Sequence, residues 1–360
     1  MNDHVAEPMP VGRLLSMEID EHRWTHAEFA AVIGRPVQFV SEIVNGKKEI
    51  TRESAAQIGA ALGQTAEFWL RFQDQYLLAE QSKNSATQED LTNVRRRSRL
   101  NKLVPVAVLR KRGVLRGKTL DELEREVCDL LELSSIDREP EFEIAARRSN
   151  HDEAITPIQQ AWAACVRREA RGGPAQPFSP DALVALAASL PKRLDRPSAF
   201  AEVPELFAGV GVNLVYFEAL PGAKIDGCSF MLEDSPVIAL SGRGKRLDKV
   251  LWTLLHEVAH VALGHVSTEV AIEALDEDSD RLHPDEAEES ADARANDWLF
   301  PTPLTKIPER VSAEWVQAQA ATRGLAPIVI IGHLQKRRIL DWRTTLARNA
   351  PNVDNVLQAW

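Results

Sequence analysis

His256 and His260 stand four residues apart, with Glu257 beside the first, in the run LLHEVAH at 254–260. On a helix, four residues advance about 40° beyond a full turn, so the two imidazoles project from one face. That spacing lets both bind a single tetrahedral zinc ion. Glu257 then lies within reach of a water that the ion would acidify, and its carboxylate can take the proton during attack on a carbonyl. Trp252, Leu254, Leu255, Val258, Val261 and Leu263 make this segment apolar nearly all round, which predicts burial. Three polar groups on a buried helix are costly unless they have partners, and a cation supplies one. The competing reading is a pair of incidental histidines on a core helix.

A third ligand must come from elsewhere. His265 falls nine residues after His256, one short of the HExxHxxGxxH pattern, and is set aside as a ligand. His283 sits in a polar loop. Glu288 fits better, because Ala291, Asp292, Ala295 and Leu299 share its face by i+3 and i+4 spacing. That face is small and apolar, as packing against the zinc helix requires. Asp292, one turn on, is placed to hold the free ring nitrogen of a ligating histidine.

The elements that must position these residues are predicted as follows. From residue 210 the hydrophobic period becomes strand-like, with strands at 212–217, 228–232 and 237–240. Glu233, Asp234, Ser235 and Pro236 form a hairpin turn between the last two. A long helix covers 247–265, an acidic loop 269–285, and a second helix 285–300 that stops before Pro301. The order of strand, hairpin, HExxH helix, acidic loop and acid-bearing helix resembles the ImmA/IrrE family of zinc metallopeptidases. The matching residues run from Leu255 to His265 and from Glu288 to Asp292, ending at Leu299, Phe300 and Pro301, with a late IGHLQ at 331–335 similar to the family's closing helix. Ser290 and Arg294 depart from its usual residues. The resemblance covers about residues 180–345. It implies a gluzincin-like fold, Glu288 as the third ligand, and an extended peptide held along a sheet edge, supplied by 228–232 or 237–240.

The N-terminal 80 residues carry different signals. Thr25 with Glu28 makes a capping box, Gly34 ends the helix that follows, and Pro36 opens the next. This is the plan of a helix–turn–helix, whose second helix enters the major groove of DNA. Gln38 and Ser41 lie near its start and are the candidates for base edges, while Asn45, Lys47 and Lys48 are candidates for phosphate. The stretches from Trp24 to Ala30, Val40 to Thr51, and Glu67 to Leu70 resemble HigA-type antitoxins of the Xre helix–turn–helix group. The resemblance implies a double-stranded DNA operator, a homodimer, and a HigB-like toxin as partner.

The sequence has 360 residues and a net charge of −10, enough chain for two or three domains and no general affinity for nucleic acid. Charge is uneven, however: residues 95–118 hold ten Lys or Arg and no acid, which suits either a solvated helix face or a phosphate clamp. Cys128, Cys165 and Cys228 form no CxxC pair and are expected to be reduced, buried thiols. No signal or membrane-spanning run is seen, so the protein is expected in the cytoplasm and away from membranes. The expected fold class is α+β and mainly helical. The expected plan is a helix–turn–helix domain at 1–80, a helical connector at 81–200 (81–94 as a polar linker, then helices to about 172), a metallopeptidase domain with a small β-sheet at 201–345, and a tail at 346–360. The expected function is a DNA-binding regulator carrying a zinc endopeptidase whose candidate substrate is a regulatory protein. The alternative is a non-proteolytic transcription factor or antitoxin whose zinc domain senses a ligand or mediates assembly.

Overall fold

The computed structural model describes residues 8–140, 144–147, 155–267, 270–273, 286–304 and 306–360. His283 and most of the acidic loop lie outside them. The described chain is mainly helical with one small mixed sheet, and it divides into two compact units, Met1–Arg96 and Arg97–Trp360.

The first unit contains α1 (Val11–Glu21), α2 (His26–Val32), α3 (Val37–Val44), α4 (Arg52–Leu62) and α5 (Ala66–Lys83). The capping signals form as read. The Thr25 hydroxyl accepts from the Glu28 amide while the Glu28 carboxylate accepts from the Thr25 amide, and Thr51 with Ser54 repeats the arrangement on α4. Gly34 takes a left-handed φ of 67° where α2 ends. Leu15, Ile19, Phe29, Val40, Ile43, Ile58 and Trp69 close the core. Gly12 lets α1 approach α3, since a Cβ there would stand 2.2 Å from the Ile43 carbonyl oxygen. The expected linker at 81–94 is helical instead. It runs from the end of α5 into α6 (Ser85–Leu103), and Asn84 between them accepts from the Thr87 amide.

The second unit opens with α7 (Val106–Lys111), α8 (Leu120–Leu131), β1 (Ile144–Arg147), α9 (Pro157–Glu169), α10 (Pro180–Arg193) and α11 (Val203–Ala208). It continues with β2 (Asn213–Tyr216), β3 (Gly227–Leu232), β4 (Ser235–Leu240), α12 (Leu247–Ala262), β5 (Val270–Glu273) and α13 (Glu286–Leu299). The last elements are α14 (Ala313–Arg323), α15 (Pro327–Lys336) and α16 (Asp354–Leu357). The strand order is β1-β5-β3-β4-β2. The hairpin β3–β4 forms as read, with Leu232 opposite Ser235, and β2 lies parallel to β4. Two strands were not expected: β1 falls where only helices were read, and β5 pairs antiparallel with Gly227–Ser229 of β3. As a result neither 228–232 nor 237–240 is a sheet edge. β3 lies between β5 and β4, and β4 between β3 and β2, so the expected peptide-binding edge is corrected.

Period-2 alternation sorts the sheet's faces. Leu214, Ile238 and Leu240 join a core with Leu251, Leu254, Leu255 and Val258 of α12. Val215, Cys228, Phe230, Val237 and Ala239 join Leu130, Trp162, Cys165 and Val166 of α8 and α9. The start of α12 is clamped as well. Arg246 donates to both oxygens of buried Asp248 at 2.7 and 2.6 Å and to Gln335 of α15 at 2.8 Å. Gly332 of α15 faces this carboxylate, and a Cβ there would lie 2.0 Å from Asp248 Oδ2. Because Arg246 holds Asp248, Gly332→Ala should force the helices apart. A loss of about 1–3 kcal/mol in chemical unfolding is expected.

Candidate metal centre

The site is built on α12, whose apolar sides are committed to the sheet and to α13 and α15. His256, Glu257 and His260 are 0%, 2% and 2% exposed, so whatever they bind is out of bulk water. Their rings face one another: Nε2 of His256 and Nε2 of His260 are 2.9 Å apart. Glu288, on α13 and 5% exposed, places Oε2 3.4 Å from His256 Nε2 and Oε1 3.3 Å from His260 Nε2. Among the described residues these three form one group able to hold a metal ion. Ligands at tetrahedral angles 2.0–2.1 Å from one zinc stand roughly 3.3 Å apart. The two His–Glu separations already match that spacing, and the His–His pair needs only a slight opening. The donor set therefore fits zinc.

Outer contacts orient the rings. Asp292 Oδ1 lies 2.9 Å from His256 Nδ1, as the one-turn spacing from Glu288 suggested. Lys336 of α15 reaches Asp292 Oδ2 at 3.4 Å and sits 3.6 Å above the Trp252 ring. The equivalent contact on the second ring was missed. His265, set aside as a ligand, stands with Nδ1 3.2 Å from His260 Nδ1. A signal was present in the sequence: Gly264, with φ of 73°, turns the chain back after α12, and the His265 amide donates to the His260 carbonyl at 2.9 Å.

Glu257 points toward the sheet. A Cβ on Gly227 would lie 2.9 Å from Glu257 Oε1 and 2.9 Å from the Thr253 methyl, so glycine at the head of β3 makes room for this carboxylate. Burial opposes charge on Glu288, but hydrogen bonds with His256 and His260 outweigh it and hold the carboxyl well below its usual range. Burial, reinforced by Glu257, pushes the Cys228 thiol far above its ordinary value, and burial lifts Cys165 to about 12. Both thiols are inert at neutral pH. Cys128 is only half-buried, so the expectation of three buried thiols fails there.

In the first unit, Gln38 and Asn45 are exposed and Ser41 half-buried, on one face of α3 and just beyond its end. Gln38 donates to Glu42 at 2.8 Å, and the Asn45 side-chain Nδ2 donates to the Ser41 carbonyl at 2.7 Å. Lys47 and Lys48 are exposed after the helix, with Lys48 3.7 Å from Glu42 and 4.8 Å above Phe39. The basic stretch 95–118 is partly spent on internal contacts. Arg99 donates to the Ile136 carbonyl at 2.7 Å and pairs with Glu139, and Arg112 pairs with Glu218. Those two arginines are not available to phosphate in this arrangement. Among the described residues, no helix is long and apolar enough to cross a membrane.

No protein-family model and no curated protein matches the chain. Solved structures that are similar to part of it include two antidote proteins. An addiction module antidote protein of the HigA family from Coxiella burnetii is 28% identical, covering 24% of this chain and 94% of its own, with a TM-score of 0.22. A protein named as an antidote of a plasmid maintenance system, from Nostoc punctiforme, is 27% identical, covering 25% and 96%, with a TM-score of 0.22.

The outer contact to Asp292 generates a direct test. Asp292→Ala should weaken zinc binding about 10–100-fold in competition with a chelator, with the fold retained. Unchanged affinity would show that Asp292 does not orient the ring.

Proposed function

We propose that the second unit is a zinc-dependent endopeptidase of the ImmA/IrrE type and that the first is a helix–turn–helix DNA reader, together making a regulator that cleaves a protein. The observation that carries the peptidase reading is the convergence of His256, His260 and Glu288 on one dry point, with Glu257 on the same helix. Bound there, zinc would supply a concentrated positive charge that acidifies water and polarises a peptide carbonyl. Glu257 takes the proton of the attacking water at its carboxylate and passes it to the departing amine. Asp292 and His265 keep the two imidazoles aimed, so little reorganisation is needed. The cleaved partner in this reading is another regulator, and the HigA-like signals at 24–70 make a HigB-like toxin a second candidate partner.

A non-proteolytic reading is favoured by one observation. β3 runs beside α12 and is already paired on both sides along Gly227–Ser229, so a peptide cannot add a strand there without displacing β5. Glu257→Gln separates the readings, because it should keep zinc while abolishing proton transfer. If the protein is a peptidase, cells carrying the variant accumulate at least one protein that the wild type removes. Identical proteomes with intact repression would leave the zinc domain as a sensor.

For the DNA reader, the exposed face of α3 offers Gln38 and Ser41 to base edges, and Asn45, Lys47 and Lys48 to the backbone. The unit would bind an operator as a homodimer, with one α3 in each half-site. Lys47→Ala with Lys48→Ala should weaken binding to all sequences alike. With two lysines lost from each of two protomers, it should also flatten the slope of log affinity against log salt by about 4, measured by titration on operator DNA.

A further inference from the structure

The reading helix of the first unit begins with apolar residues. Pro36, exposed, is the N-cap of α3, and Val37 is its first residue. Val37 is 48% exposed, whereas Val40 and Ile43 of the same helix close the core. Single exposed apolar side chains are ordinary on a protein surface. This one stands out by its place, because the N-terminal residues of the second helix are those that meet base edges in a helix–turn–helix.

The polar side chains next to it are engaged within the helix. Gln38 Nε2 donates to Glu42 Oε1 at 2.8 Å. Asn45 Nδ2 donates to the Ser41 carbonyl at 2.7 Å and to the Ser41 hydroxyl at 3.2 Å. A bidentate contact from Gln38 to a base would first have to break its bond to Glu42. Val37 can meet a base edge as it stands. Its β-branched side chain is also stiff in a helix, so contact orders it little further.

The bases offer one methyl group in the major groove, the C5 methyl of thymine. Adenine, guanine and cytosine lack it. A valine pressed on their donors and acceptors would remove water without giving a hydrogen bond in return. Lys47, exposed just past the end of α3, is placed for the adjoining phosphates.

We propose that Val37 is a specificity-determining residue that reads a thymine methyl, so that each operator half-site carries thymine opposite the start of α3. This rests on the helix–turn–helix reading above and adds base identity to it.

The test uses the full chain and needs no operator in advance. The wild-type protein selects sites from a pool of random duplex DNA. The selected site is then remade with each thymine in turn replaced by deoxyuridine, which removes only the methyl. One position in each half-site should respond, with affinity falling about fourfold for one replacement and about fifteenfold for both. Val37→Ser should weaken binding to the thymine site and bring thymine and deoxyuridine at that position to within about twofold. Thermal unfolding checks that the variant stays folded, and the deoxyuridine series on the wild type stands without it. Tolerance of deoxyuridine at every position overturns the assignment and leaves the DNA reader standing. So does thymine sensitivity that survives Val37→Ser unchanged at every position. A pool that yields no preferred sequence overturns both.

Discussion

Two imidazoles and a carboxylate meet in a dry interior, and the remainder of the second unit is arranged around the cost of that meeting. Burying such groups without partners costs several kcal/mol. Here the outer nitrogens are supplied from the protein, by Asp292 for His256 and His265 for His260. The inner nitrogens and Glu288 converge on one another at 2.9–3.4 Å. A divalent cation at that point would replace close polar contacts with coordinate bonds and balance the buried negative charge.

Holding the three donors in place requires that α12 and α13 neither slide nor rotate. Leu254, Leu255 and Val258 bind α12 to the sheet, while Ala291 and Ala295 let α13 approach closely. The Arg246–Asp248–Gln335 cluster fixes the start of α12 against α15. α15 in turn carries Lys336 to Asp292, so one helix both clamps the scaffold and completes the outer contacts of the metal centre.

Much of this was legible in the sequence because it depends on local spacing. The HExxH turn, the Glu288–Asp292 turn, the capping boxes at Thr25 and Thr51, and the hairpin at Glu233–Asp234 each involve residues a few positions apart. What was missed depends on pairing between distant residues. β1 and β5 are four residues each, too short to show a period, and neither the register of β1 with β5 nor that of β5 with β3 has a local signature. That omission made β3 look like an edge. The spacing of His265 fits no ligand pattern and gives no sign of its role, although Gly264 marks the turn that returns its ring to His260. The basic run at 95–118 read as one charged surface, yet Arg99 and Arg112 find acids about forty and a hundred residues away in sequence.

The donor geometry calls for one zinc ion between α12 and α13, held by two imidazoles and one carboxylate. X-ray absorption at the zinc edge, on protein purified with the metal, measures this most directly. One zinc per chain, two imidazole scatterers, further oxygen ligands at about 2.0–2.2 Å and no sulfur shell are expected. Sulfur at about 2.3 Å, or protein that takes up no zinc while folded, would contradict it.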